Sequence, residues 1–209
     1  NMGTMLAFLT TDADVSRATL QKALKVAADA TFNTLNVDGA TSTNDTAMLL
    51  ASARRGKADP DEFANVVLAA CRELTMMMAR DAEGMTRMAH VTVTGAHTNE
   101  EARIAAKSIV ENNLVKCSWY GGDPYWGRLM AAAGSAGVEM NVAKSRVAYG
   151  GIPVAAGGVG IEHDGQALAE HMMGDEVEIE VHLGAGHGHA KMIGIDLGPG
   201  YIRENSKTS

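Results

Sequence analysis

The chain has 209 residues, 46% hydrophobic and 21% charged, the balance of a folded globular protein with room for one substantial domain. A formal net charge of −7 with scattered basic residues gives no nucleic-acid footprint; the nearest cluster, Arg54, Arg55 and Lys57, reads as a solvated turn. No apolar run is long enough to span a membrane and no signal peptide is evident. Two cysteines, Cys71 and Cys117, make no disulfide framework, so a cytoplasmic setting is expected.

Thr4 to Thr10 is short and apolar and suits a buried strand. Asp12 and Asp14 offer N-cap oxygens to a helix running to about Phe32, with Leu20, Ala23, Leu24 and Ala27 on one face. Thr46 to Ala53 reads as a short helix. Asp59-Pro60 opens the clearest helix, where Phe63, Val66, Val67, Ala70, Cys71 and Leu74 recur at the spacing of one buried face; Cys71 reads as a core thiol. Past Glu83-Gly84 the pattern alternates. His90 to Gly95 is a strand, Asn99 opens a helix to about Glu111, and Asn112-Asn113 closes it. Leu114 to Trp119 reads as a strand, and Trp126 to about Ala136 as a helix. Short strands around Val147 and Pro153 are joined by Gly150-Gly151. Ala167 to Met173 is helical, Glu176 to His182 a strand, and Lys191 to Asp196 a last strand. Strands and helices do not alternate strictly, which predicts an α+β fold with mixed sheets packed with helices rather than a doubly wound parallel sheet.

Several residues carry candidate chemistry. Thr4 is a weak nucleophile unless a base takes its proton. If it were the first residue, its own α-amine, titrating near neutrality, would be that base. Gly3 suits a cut just before Thr4, since it leaves the scissile carbonyl open. On residue chemistry alone the plainer reading, an ordinary strand residue, is preferred. Glu83, in Arg80 to Gly84, sits at a helix–strand junction where a carboxylate can pair with a substrate ammonium. In Gly121 to Arg128, Asp123 can cap the following helix with Pro124 in its first turn, and an Arg128 holding this loop would support a site. His182, His187 and His189 invite a metal reading, but the glycines among them and the lack of an adjacent carboxylate argue against it, so no metal is expected. Gly184 to Gly188 is glycine-rich like a phosphate loop, yet an apparent strand follows it instead of a helix.

Six ordered blocks then carry a resemblance. They are Thr4-Met5-Leu6-Ala7, Phe32 to Asp45, Arg80 to Thr86, Asn113 to Lys116, Gly122 to Arg128, and the tail Asp196-Leu197 with Tyr201 to Ser206. Together they resemble the ornithine acetyltransferase (glutamate N-acetyltransferase) family along nearly the whole chain, from Thr4 to Ser209. The resemblance implies a self-processed N-terminal-nucleophile enzyme of the ornithine acetyltransferase/DmpA aminopeptidase type. Its precursor cuts itself between Gly3 and Thr4 into an α chain and a β chain, and this sequence matches the β chain. Thr4 matches the nucleophile, and Glu83, Asn205 and the terminal Ser209 match substrate-binding positions, with Thr208 beside Ser209. Residues 1–3 would be a residual segment and 4–209 a single domain completed by the α chain, in an α2β2 assembly. The implied reaction moves acetyl from N-acetylornithine to glutamate through an acetyl-threonine, with no cofactor. Three positions depart from the family pattern: Gly3 where Ala is usual, Ala40 where an acidic residue is common, and Tyr125 where Asn is common. Asn1 is not a translation start, and the active form is expected to begin at Thr4. The alternatives are a related N-terminal-nucleophile amidohydrolase or aminopeptidase, and a non-catalytic uncut precursor fragment.

Overall fold

A computed structural model describes residues 3–207, and contacts divide the chain into two compact units, Asn1–Arg80 and Asp81–Ser209. The first unit begins with strand β1 (Leu6–Thr11), followed by helix α1 (Arg17–Ala30), the short extended segment β2 (Leu35–Asn36), strand β3 (Thr46–Ala51) and helix α2 (Pro60–Arg80). β1 and β3 pair in parallel, from Leu6 against Thr46 to Thr11 against Ala51. Ala7 and Leu9 turn inward and join Ala23, Ala27, Phe32, Phe63, Val67 and Cys71 in one core, as period-two alternation requires.

Three local expectations are corrected here. The segment from Thr46 is a strand and not a helix: its Ala, Met and Leu residues are good helix formers, but parallel pairing with β1 decides the outcome. The cap of α1 is Ser16, whose Oγ accepts the Thr19 N–H at 3.1 Å. Asp12 instead pairs with Arg55 at 3.3 Å, and the Asp14 N–H donates to the Gly56 carbonyl at 2.8 Å, which places both before the helix. The buried stripe of α2 runs through Phe63, Val67, Cys71 and Thr75, whereas Val66 is 67% exposed. Asp59 Oδ1 caps that helix, accepting N–H bonds from Asp61 and Glu62 at 3.0 Å each, as its sequence signature predicts. Burial raises the pKa of the Cys71 thiol, in keeping with a core role.

The second unit contains β4 (Met88–Ala96), α3 (Asn99–Glu111), α4 (Asn113–Tyr120), α5 (Trp126–Gly134), β5 (Arg146–Tyr149), β6 (Ile152–Ala156) and β7 (Val159–Gly160). It ends with α6 (Gly165–Met172), β8 (Glu176–His182), β9 (Gly188–Ile195) and α7 (Pro199–Asn205). Within it the strands lie in the order β9-β4-β8-β5-β6-β7. The β4–β8 pair is parallel and the other pairs are antiparallel, so the sheet is mixed and the fold is α+β. Val91, Val93, Val177, Ile179 and Val181 point from β4 and β8 into a core shared with Ala102, Ile109 and Trp119 of α3 and α4.

The segment read as a strand from Leu114 is helix α4. The Asn112 side chain accepts the N–H groups of Leu114 and Val115 at 3.0 and 3.2 Å, so one asparagine ends α3 and starts α4. Asp123 does not cap α5, which begins at Trp126 without a side-chain cap; the Asp123 N–H donates to the Ser118 carbonyl at 2.8 Å. Helix α7 has Pro199 in its first turn, where the missing N–H costs nothing; a Pro-Gly pair there reads just as readily as a turn, and nothing in the sequence separated the two.

Candidate active site

Thr4 sits exposed just ahead of β1, in the first unit. Its Oγ donates to Ser42 Oγ at 3.1 Å, and Ser42 Oγ also accepts the Asn44 N–H at 2.9 Å. The backbone on either side is clamped. The Gly3 N–H donates to the Asp38 carboxylate. Asp45 accepts the Met5 N–H at 2.9 Å and the Ser42 N–H at 3.0 Å, and the Met5 carbonyl accepts the Thr46 N–H at 2.8 Å. The Met5 bond foremost, then those from Ser42, hold the Asp45 carboxyl below the ordinary carboxylate range. Asp38, Ser42 and Asp45 all belong to the block from Phe32 to Asp45, to which residue chemistry assigned no role. A methyl group added at Gly3 would stand 3.2 Å from Asp38 Oδ2, a tight contact at the bond proposed for cleavage.

In the second unit the structure brings together two predicted residues 122 positions apart: Asn205 Nδ2 donates to Glu83 Oε2 at 2.8 Å. The same nitrogen donates to the Tyr201 carbonyl at 3.1 Å, fixing the amide against its own helix. The support below this pair is backbone on backbone. Gly84 has φ of +67°, and an added Cβ would lie 2.1 Å from Tyr201 N and 2.3 Å from Gly200 C. No side chain fits there, so the Glu83 loop and the start of α7 touch through glycine. Between β9 and α7, Asp196 is 2% exposed; it accepts the Thr86 N–H at 3.0 Å and a short bond from the Thr86 hydroxyl. Arg87 donates from Nη1 to the carbonyls of Trp119 and Tyr120 at 3.1 and 2.6 Å, binding the loop to the carbonyl end of α4.

Helix α4 also grips α7. The Lys116 carbonyl accepts the Leu197 N–H at 3.2 Å, and Lys116 Nζ lies 5.7 Å from the centre of the Tyr201 ring. Lys116, Tyr201, Gly84 and Asp196 had no assigned chemistry in the sequence, although all four fall inside or beside the blocks that carried the resemblance. Ser209 and Thr208 lie outside the described residues, as do Asn1 and Met2 of the segment preceding Thr4.

Arg128 does hold its loop. Nη1 donates to the Leu114 carbonyl at 3.0 Å, and the guanidinium lies 5.6 Å from the Tyr125 ring centre. His182 Nδ1 is 3.0 Å from Thr94 Oγ, and burial first, then Arg146, lowers the pKa of its ring. Among the described residues no three His, Cys, Asp or Glu side chains are grouped to hold a metal ion. The amides of Ala185 and Gly186 are spent on the Gly95 carbonyl, at 2.7 and 2.8 Å, and the loop leads into strand β9.

These features define a mixed-sheet α+β protein with a clamped threonine at the head of one strand and a carboxylate–carboxamide pair on a glycine-built junction. The ArgJ family model matches residues 1–209. The chain is 42% identical over 206 residues to an arginine biosynthesis bifunctional protein ArgJ from Thermus thermophilus, covering 99% of this chain and 54% of that protein. It is 40% identical over 213 residues to the ArgJ protein of Mycobacterium tuberculosis, covering 100% of this chain and 51% of the relative. The crystal structure of the arginine biosynthesis bifunctional protein argJ from Bacillus halodurans superimposes with a TM-score of 0.90 at 37% identity, over 98% of this chain and 100% of that one. The chain belongs to the ArgJ family. It spans about half the length of the curated relatives it matches.

Proposed function

We propose that this chain supplies the nucleophile and part of the substrate site of a glutamate N-acetyltransferase that takes acetyl from N-acetylornithine, in arginine biosynthesis or a related amino-acid pathway. The observation that carries the proposal is the Asn205–Glu83 hydrogen bond, which joins two family blocks 122 residues apart into one polar pair. Membership of a family whose relatives are named for arginine biosynthesis supports the pathway.

Water first hydrolyses the peptide bond between Gly3 and Thr4, leaving Gly3 as a carboxylate and exposing the α-amine of Thr4. That amine takes the hydroxyl proton as Thr4 Oγ attacks the acetyl carbon of N-acetylornithine. The amide C–N bond breaks, the proton passes to the departing amine, and ornithine leaves an acetyl ester on Thr4. The amine of glutamate then attacks that ester, the C–O bond breaks, and the hydroxyl recovers its proton. Both amino acids are zwitterions. Glu83 neutralises an ammonium through Oε1, since Oε2 is engaged by Asn205, and Ser209 hydrogen-bonds the carboxylate; Asn205 joins that contact when the substrate carboxylate takes the Nδ2 hydrogen now given to the Tyr201 carbonyl. No cofactor takes part.

The remaining half of the precursor is the partner, in an α2β2 assembly. The outer face of the β1–β3 pair supports such a cover: Leu6, Phe8 and Leu50 are 56%, 63% and 53% exposed there, although parallel strands are normally buried on both faces. Among the described residues no helix is long and apolar enough to cross a membrane. Cys71 and Cys117 are free thiols, which supports a cytoplasmic setting.

The test uses the full-length gene product. Intact-mass analysis should show a chain beginning at Thr4, and labelled acetylornithine should yield labelled acetylglutamate only when glutamate is present. Thr4→Ala should abolish both cleavage and transfer, a loss of at least about 10³-fold. Free acetate released equally fast with and without glutamate would make the enzyme a hydrolase, and full activity in Thr4→Ala would remove the nucleophile.

A further inference from the structure

Lys116 is 5% exposed on α4, an uncommon place for an ammonium unless it is held by specific partners. Its carbonyl anchors Leu197 and its Nζ faces the Tyr201 ring, so both ends of the residue engage the segment that becomes α7. Tyr201 is the central piece of the candidate site. Its amide nitrogen abuts Gly84, its ring abuts Lys116, and its carbonyl accepts the same Asn205 nitrogen that reaches Glu83. The next residue pair repeats the grip, because an added Cβ at Gly198 would stand 2.5 Å from the Tyr120 ring, again on α4. Cation–ring attraction strengthens where water is excluded, and an α7 of only seven residues has little stability of its own to set its direction.

We infer that Lys116 is a positioning residue for acetyl transfer: by holding Tyr201 it sets the direction of α7 and so places the Asn205 amide on Glu83. Its effect on the reaction runs through Tyr201 and Asn205. The inference rests on the acetyltransferase reading for its kinetic consequence, and on the structure alone for its geometric one.

The experiment compares Lys116→Met and Lys116→Arg in the full-length gene product. Methionine keeps the buried stem and removes the charge, while arginine restores a cation that stacks on a ring. In Lys116→Met the KM for both amino-acid substrates should rise about tenfold, with kcat changed less than about threefold and cleavage before Thr4 unaltered. Lys116→Arg should recover most of that loss. A crystal structure of Lys116→Met should show Asn205 Nδ2 outside hydrogen-bond reach of Glu83. Unchanged KM values in a cleaved Lys116→Met enzyme overturn the inference, as does an intact Asn205–Glu83 bond in its structure. If the wild-type enzyme transfers no acetyl group, the acetyltransferase reading fails and the crystal structure still decides whether Lys116 sets Asn205. A Lys116→Met protein that is not cleaved and does not fold also overturns it, because the residue would then serve the whole fold.

Discussion

Gly84→Ala probes the junction on which the Glu83–Asn205 pair depends. Alanine must adopt the φ of +67° recorded at this position, which costs a residue with a Cβ about 1–2 kcal/mol. The added carbon would also stand 2.1 Å from Tyr201 N, 2.3 Å from Gly200 C and 2.8 Å from Gly200 Cα, all backbone atoms that cannot rotate away. Overpacking of this kind adds about 1–3 kcal/mol, for a combined loss of about 2–5 kcal/mol. Gly151→Ala is the matched control in the same unit: its φ is +76° but nothing lies within 4 Å of an added Cβ, so only the backbone cost applies. Denaturant unfolding of both variants in the full-length gene product separates the two contributions. The junction should also open, raising the KM for glutamate in Gly84→Ala and leaving it unchanged in Gly151→Ala. Equal destabilisation of the two variants, with unchanged KM in both, would show that the Gly84–Gly200 contact does not build the site.

Two further predictions follow from the polar contacts. Asn205→Asp sets a carboxylate where an amide now lies 2.8 Å from Glu83 Oε2, so like charges replace a donor–acceptor pair; the KM for both substrates should rise roughly fivefold to tenfold, more than in Asn205→Ala, as steady-state kinetics at low salt will show. Asp45→Asn removes the charge that clamps Met5 and Ser42 and should slow cleavage before Thr4, read by gel or intact mass. Because the folded pKa of Asp45 lies below its ordinary value of 3.8, its carboxylate stabilises the fold above that pH and the contribution is lost as pH falls through the lower folded value. The difference in melting temperature between wild type and Asp45→Asn should therefore stay constant through neutral pH and close only in acid below 3.8. A gap that closes already near pH 6 would assign the effect to another group.

Where local pattern and tertiary environment agree, the elements were legible. The helix Asn99–Glu111 and the strand Glu176–His182 have the expected bounds, because each combines unambiguous periodicity with polar punctuation at its ends. The two segments assigned to the wrong element share one cause. Thr46–Ala51 contains helix formers yet is claimed by β1 as a parallel partner, and Asn113–Tyr120 contains strand formers yet is started as a helix by the Asn112 side chain. In each case a single partner outside the segment outweighs the average preference of the residues within it.

The proposed site residues came by a different route. Residue chemistry left Thr4 an ordinary strand residue and offered Glu83 only as a carboxylate at a helix–strand junction; ordered resemblance selected them, together with Asn205. Neither route exposes what holds Glu83 and Asn205 in place, because the parts are a left-handed glycine, a buried carboxylate on a threonine, and a lysine beneath a tyrosine. None of these carries a reactive signature. Gly84 acts through the side chain it lacks, Asp196 through bonds to Thr86, and Lys116 through a ring that belongs to another helix. Such groups fix the relative position of two distant segments, a relation between residues that no single stretch of sequence contains. Substitutions at these supports should therefore change substrate binding while leaving the chemistry proposed for Thr4 intact. That separation is what distinguishes a scaffold built for this site from one that merely stabilises the fold.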